Sequence, residues 1–278
     1  MIFGDADTAV DAVYDDSDTI FKANLTWRIN DDRMVYVTVS EGYRPGGLNR
    51  DPGLAAFGAA TYVPDVLTNY EFGWKTMLAD GRVRFNGAFY FSDWEDVQYT
   101  IYDFKLSRCC GTVYNLADAE IAGFEASVTA LVSDNLTLSA AMAYNDGETK
   151  GDYVLPQGAD APFQVPDGTQ LPNVPEWQGN VSARYEFNVS NFDAYWQAVW
   201  MYTGKSFNEI RPTERSPQDF YNILNLRAGI SKGDWGVDAF VNNATDEVAD
   251  IYVSARPYEP STTTNRPLSY GLKYWKRF

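Results

Sequence analysis

The stretch NYEFGWKTMLADGRVRFNGAFYFSDW, Asn69 to Trp94, decides the fold. Before its centre, Phe72 and Trp74 alternate with Glu71, Gly73 and Lys75; after it, Phe85 and Phe89 alternate with Arg84 and Asn86. Successive side chains of a β-strand point to opposite faces, so period two on both sides of the polar ADGR reads as an antiparallel hairpin. One face is bulky and apolar, the other charged or small. What covers the apolar face is left open by a single hairpin.

The unit recurs on both sides. FKANLTWRI and MVYVTVSEGY flank NDDR; IAGFEASVTAL and LTLSAAMAY flank VSDN; EWQGNVSARYEF and FDAYWQAVWMY flank NVSN; YNILNLRAGI and WGVDAFVNN flank SKGD. With the last strand, in YGLKYWKRF, the count is about eleven. Connections of one class are short, near 30–33, 79–82, 132–135, 188–191 and 231–234. The others, near 44–68, 101–112, 146–174, 204–219 and 246–266, are long, and the two classes alternate strictly. In an up-and-down sheet that places tight turns at one end and large loops at the other. Long structureless loops are uncommon in compact soluble domains. Short turns at one end and long loops at the other are the pattern of outer-membrane barrels, whose strands turn an apolar face to lipid. Aromatics near strand ends (Trp27, Tyr43, Trp94, Tyr144, Trp177, Tyr202 and Trp235) suit the two interfacial girdles.

Composition narrows the function classes. The 22 Lys and Arg face 38 Asp and Glu, a net charge of -16, which argues against a nucleic-acid partner because phosphate contacts need a basic surface. Aromatic residues make up 15% of the chain, which argues against disorder. Histidine is absent, removing the Ser-His-Asp triad and the common zinc sites. No apolar run is long enough for a spanning helix. The start, MIFGDADTAVDAVYDDSDT, lacks the basic head and apolar run of a secretory signal, so an export signal is expected outside this sequence.

Several phrases, in order, resemble the C-terminal barrel portion of TonB-dependent outer-membrane receptors. VYVTVSEGYRPGGLNR carries Gly42, Arg44, Pro45, Gly46, Gly47 and Asn49; YVPDVLTNYEFGWKT carries Glu71-x-Gly73-x-Lys75; RFNGAFYFSDWEDVQ follows. NLADAEIAGFEASVTA holds Gly123 and Glu125, LPNVPEWQGNVSARYEF leads into a strand, and FVNNATDEVAD leads out of one, with Ala244 where the family usually has Leu. YGLKYWKRF is similar to the aromatic-ended signal read by barrel-assembly machinery, through Tyr270, Leu272, Tyr274 and Phe278.

The resemblance implies an all-β chain, an antiparallel transmembrane β-barrel portion of about eleven strands forming the C-terminal half of a 22-stranded barrel. Residues 19–278 would form it, residues 1–18 would be an acidic loop or tail, and no plug is present. It implies active uptake of a siderophore-like iron chelate or another bulky nutrient, energised by TonB in the complete protein, with no enzymatic step and no cofactor. The implied partners are outer-membrane lipid, the barrel-assembly machinery, the nutrient ligand, and a missing plug and N-terminal barrel half through which TonB acts. The implied location is the outer membrane of a Gram-negative bacterium. A passive porin and a soluble carbohydrate-binding β-domain are the competing classes. The first lacks these phrases, and the second requires a protein that folds in water without detergent.

Candidate site residues fall into groups. Arg44, Glu71, Lys75, Arg84, Glu125, Arg184 and Arg227 are charges expected to face the lumen or a plug, as a hydrated network or as ligand-steering groups. Tyr153, Phe163 and Gln164, with Tyr252, Arg256 and Tyr258, lie in the two loops best suited by size and content to contact ligand, since aromatic platforms stack on planar groups and sugars. The Gly-rich turn at Arg44–Gly47 lacks the following helix and Gly-Lys-Ser/Thr of a phosphate loop, so a structural turn is the favoured reading. Asp93, Glu95 and Asp96 supply neither a fixed carboxylate separation nor a cleft. Cys109 and Cys110 are open to a vicinal disulfide, pairing elsewhere, or remaining free. No metal site is expected.

Overall fold

The computed structural model describes residues 14–49, 60–102, 111–154, 164–254 and 261–278. Among them, one antiparallel sheet holds eleven strands in chain order. They are β1 (Lys22–Asn30), β2 (Arg33–Arg44), β3 (Asp65–Leu78), β4 (Val83–Glu95), β5 (Asp118–Leu131), β6 (Leu136–Lys150), β7 (Trp177–Val189), β8 (Phe192–Thr203), β9 (Tyr221–Lys232), β10 (Trp235–Asn242) and β11 (Ser269–Lys276). Each pairs only with its neighbours in sequence. The expected eleven-strand meander is therefore present, and the five short connections are the tight turns of its five hairpins.

Two boundaries differ from expectation. β3 begins at Asp65 and β6 runs to Lys150, so the strands extend further into the loop end than the apolar alternation reaches. There the outward positions turn polar while the ladder continues: Thr68 pairs with Asp93, Asp93 with Glu120, and Glu120 with Glu148. The long connections are also not structureless. Gly47–Leu48 pairs Thr61–Tyr62, Gln98–Ile101 pairs Thr112–Asn115, Tyr153–Val154 pairs Gln164–Val165, Ser206–Phe207 pairs Pro217–Gln218, and Asp250–Val253 pairs Thr262–Thr264. Each long connection folds back as its own small ribbon.

Register sorts the faces. Val37 lies opposite Phe72, Phe72 opposite Phe89, and Phe89 opposite Phe124. Val181 lies opposite Trp200, Leu226 opposite Val241, and Val237 opposite Tyr274. This aromatic face is bare: Leu25 is 75% exposed and Trp27 66%. The buried apolar cluster sits elsewhere, at the loop end. Val97, Ile101, Tyr114, Leu116, Ala119, Val165, Leu171 and Ile210 form it, with Tyr99, Tyr153 and Trp94 packed against them. Trp94 does not take the interfacial girdle position that its place near a strand end predicts. Its even number puts it on the face opposite Phe85 and Phe89, and it joins the loop core instead.

Candidate functional site

The face opposite the aromatics is polar and continuous. Glu71, Lys75, Arg84, Glu125, Arg184 and Arg227 all fall on it by register: Lys75 opposite Asn86, Arg84 opposite Thr129, Glu125 opposite Ala88, and Arg184 opposite Gln197, itself opposite Arg227. Lys75, Arg84, Glu125 and Arg227 are exposed, and Arg184 is half-buried. A trough of about 590 Å³ against the sheet is lined in part by Tyr36, Lys75, Asn86, Glu125, Ser127 and Asn180. These side chains present hydrogen-bonding and charged groups to the trough.

Tyrosines shape this surface. Tyr36 leans across Gly73, where an added Cβ would come within 2.3 Å of its ring, and Tyr90 leans across Gly123 in the same way. A bare backbone lets each ring lie flat on the next strand. The glycines of Glu71-x-Gly73-x-Lys75 and Gly123-x-Glu125 therefore have a packing reason. The Tyr36 hydroxyl reaches Glu71, and the Tyr90 hydroxyl donates to the Asn145 side-chain oxygen. Further along the sheet a polar chain crosses several strands. Arg184 Nε donates to Glu186 at 2.9 Å, and its guanidinium lies 3.9 Å from the Tyr195 ring centroid. The Tyr195 hydroxyl donates to Asp238 at 2.8 Å, and Trp275 Nε1 donates to the other Asp238 oxygen at 3.1 Å.

Arg44 sits at the loop end of β2 and turns to structure. Its Nε donates to both Asp65 carboxylate oxygens at 2.9 Å, an Nη donates to the Gln98 carbonyl at 3.1 Å, and the guanidinium stands 5.0 Å from the Trp94 ring centroid. Beside it, Asn49 exchanges two hydrogen bonds with the Val113 backbone, at 2.8 and 2.9 Å. Arg44 and Asn49 thus fasten the 45–64 connection to the 96–117 connection.

The fastening continues round the loop end. Buried Glu209 accepts from the backbone N–H of Ile210 at 3.0 Å and from Arg211 Nη2 at 3.1 Å, and Arg211 also pairs with Glu214 at 2.7 Å. The Tyr99 hydroxyl accepts the Ile210 N–H at 3.3 Å and meets Glu209, tying the ribbon at 98–115 to the connection at 204–220. Burial, and then the Glu209 carboxylate, push the Tyr99 phenol above its ordinary value. Gln218, 3% exposed, joins three connections at once. Its amide nitrogen donates to Asn173 and to Ser206, and its oxygen accepts from the Val253 N–H, each at 3.0 Å. In FVNNATDEVAD, Asn243 donates to the carbonyls of Glu247 and Arg266 and closes the last connection on itself.

Of the ligand-contact candidates, Tyr153 is half-buried against the loop core, Gln164 is exposed on the partnering strand of the same ribbon, and Tyr252 is 43% exposed on a different ribbon. Burial raises the Tyr153 phenol as well. Phe163, Arg256, Tyr258, Cys109 and Cys110 lie outside the described residues. Tyr270, Leu272 and Tyr274 share the aromatic face of β11, each more than 60% exposed, and Phe278 is fully exposed beyond it. Among the described residues no group of three or more His, Cys, Asp or Glu could hold a metal ion.

Charge is divided unevenly between the wall and the rest of the chain. Residues 22–40, 67–92, 121–145, 177–203, 221–242 and 269–278, the wall and its turns, carry 12 Lys or Arg and 10 Asp or Glu. The rest of the chain carries the other 10 Lys or Arg and 28 Asp or Glu.

A bare aromatic face, a polar face with trough and ion chain, and loops fastened at one end together describe a segment of barrel wall. The model of the TonB dependent receptor-like β-barrel matches residues 2–244. The chain belongs to that family. Solved structures of similar fold agree. The ferric yersiniabactin uptake receptor FyuA of Yersinia pestis superposes with a TM-score of 0.73 at 18% identity, over 93% of this chain and 37% of its own. The siderophore receptor PiuA of Acinetobacter baumannii gives 0.73 at 18%, over 93% and 36%. The ferric-catecholate import receptor Fiu of E. coli K12 gives 0.67 at 16%, over 93% and 35%. The chain spans little more than a third of the length of these receptors. Family membership puts this wall in the outer membrane.

The residues that fasten the loops, Tyr99, Glu209, Arg211 and Gln218, escaped the sequence reading. Their partners are remote: Gln218 reaches Asn173 across 45 residues and Tyr99 reaches Ile210 across 111. The one local hint was an acidic and a basic residue two apart in NEIRP, within a connection otherwise read as a loop.

Proposed function

We propose that this chain is wall from the C-terminal half of a 22-stranded TonB-energised receptor that takes up a siderophore-like iron chelate or another bulky nutrient. Residues 19–278 belong to the wall and residues 1–18 to an acidic loop or tail. The observation that carries the reading is the pairing of a bare aromatic face with a polar face and a fastened loop end, in a chain of this family. The complete receptor supplies a plug and the N-terminal half of the barrel, and TonB acts through those parts. Glu71, Lys75, Arg84, Glu125, Arg184 and Arg227 line the passage beside the plug, with Arg44 bracing the loops above. Ligand is met by Tyr153, Gln164 and Tyr252, with Phe163, Arg256 and Tyr258. The apolar side of β11 is offered to the barrel-assembly machinery. The process is binding and translocation, with no bond made or broken.

Uptake of radiolabelled iron chelates by cells carrying the complete gene, with and without TonB, tests the reading. Accumulation that needs both the gene and TonB is expected. Accumulation independent of TonB would indicate a passive pore. The chain alone, without plug, is expected to give no TonB-dependent uptake.

A further inference from the structure

Charge on the aromatic face is sorted by end. Register puts Glu41, Asp93, Glu120 and Glu148 on that face at the loop end. At the turn end the charged residues it carries within the eleven strands are Arg33, Lys232 and Lys276, all basic. Two of these cations flank one indole. Lys232 closes β9 opposite Trp235, and Trp235 lies opposite Lys276 of β11. Adjacent strands stand about 4.8 Å apart, so the backbones of the two lysines are about 10 Å apart. Both side chains are exposed, and among the described residues neither is in an ion pair, with Asp234 of the turn below or with any other carboxylate. Lys232 Nζ stands 5.5 Å from the Phe192 ring centroid, and that ring meets Trp235 edge-on at 5.9 Å. Lys276 Nζ stands 5.5 Å from the Phe278 ring centroid. Toward the middle of the wall the neighbouring outward residues are apolar: Ile230 pairs with Val237, and Ala228 with Ala239, a low strip between Trp196 and Leu272.

A lysine at the edge of a hydrocarbon layer lays its aliphatic stem on apolar surface and keeps its charge among the headgroups. The matching partner carries negative charge directly above acyl chains, and a phospholipid with a net negative headgroup offers both. We propose that Lys232 and Lys276, on either side of Trp235, hold the phosphate headgroup of an anionic phospholipid whose acyl chains run along Ile230, Ala228 and Ala239. A zwitterionic lipid brings its own ammonium against the lysines and gains less. The chain's net charge of -16 repels anionic lipid in general, so a preference for it at this place must come from the local cations. A second copy in the same orientation does not supply the anion, because the carboxylates of its aromatic face stand at the opposite end of the wall. The proposal rests on the aromatic face meeting lipid, as in the function proposed above. It adds the class of lipid and the residues that select it.

Variants of the full chain that keep only Trp235 or only Trp200 are refolded into phosphatidylcholine vesicles holding a small fraction of brominated lipid. The brominated lipid is phosphatidylglycerol or phosphatidylcholine with the same chains. From the usual gain per lysine near an anionic headgroup, phosphatidylglycerol should be enriched beside Trp235 by about five- to thirtyfold at low salt. Trp200 should show no such enrichment, and added salt should shrink the gap at Trp235. Lys232→Gln with Lys276→Gln should abolish the enrichment and leave quenching by phosphatidylcholine unchanged. Native mass spectrometry of the unaltered chain needs no substitution: more phosphatidylglycerol than phosphatidylcholine should stay bound from an equal mixture. Equal retention there would overturn the proposal. So would equal enrichment at Trp235 and Trp200, enrichment that survives the double substitution, or its removal by inorganic phosphate at constant ionic strength, which would assign the lysines to a soluble anion. Failure of both lipids to quench either tryptophan would instead overturn the lipid-facing reading beneath it.

Discussion

The wall and the loop end bury their apolar residues by opposite rules. In the wall, Phe72, Phe89, Trp196 and Trp200 stand at least 43% exposed, and among the described residues no layer covers that face. At the loop end, Ile101, Val165 and Ile210 are at most 1% exposed inside a cluster drawn from three connections. The contrast identifies the solvent on each side. Hydrocarbon makes apolar exposure harmless in the wall, while the loops stand in water and must build a core like any soluble domain.

Several substitutions sharpen or break that contrast, from large effect to small. Ile101→Ala should cost about 2–5 kcal/mol of loop-end stability, the range for deleting a buried aliphatic side chain. Hydrogen exchange would show it at 98–101 and 112–115, with the wall strands unchanged. Phe89→Arg, at the middle of β4, should destabilise the refolded chain by roughly 2–4 kcal/mol in denaturant titrations from vesicles, the range for a cation at the lipid midplane. The same change at Ser127, on the opposite face, should cost much less. Equal costs would mean that the two faces do not meet different media.

Gln218→Ala removes hydrogen bonds to three connections and leaves buried polar groups unmatched. About 1–3 kcal/mol of local protection should be lost at 173, 206 and 253 together. Loss at only one of them would mean that Gln218 does not join these loops. The smallest effect concerns pH. The folded Tyr99 phenol holds its proton more tightly than the unfolded one, so the stability it adds is complete below the unfolded value of about 10. That stability should drain away as pH rises from there through the raised folded value. Tyr99→Phe should remove this alkaline loss at the loop end, read as amide exchange at Ile210 compared at matched intrinsic rates.

The same contrast explains what was legible in the sequence. Wall strands announce themselves, because period two over eight or more residues and tight polar turns are local signals: KANLTWRIN and VRFNGAFYFSDWE state their faces directly. The loop core left no such trace, since its ribbons are two to four residues long and its contacts join distant segments. Trp94 was misplaced because an aromatic near a strand end resembles a girdle residue, whereas counting parity from Phe89 turns it inward. The early start of β3 and the late end of β6 leave no trace in the apolar alternation, which stops where the outward face turns polar. For the candidate site, register confirms the shared face of the wall charges, while the partners that hold Arg44 and pack Tyr153 required three-dimensional contacts.

On this reading the aromatic face meets hydrocarbon and the loop core does not. The chain's 8 tryptophans allow a direct test. Variants keeping one tryptophan, with the others changed to Phe, are refolded into vesicles whose phospholipids carry bromine on mid-chain carbons. Strong quenching of Trp196 or Trp200 alone is expected, and little quenching of Trp94 alone. Trp94 quenched as strongly as Trp200, or Trp196 and Trp200 left bright, would contradict it.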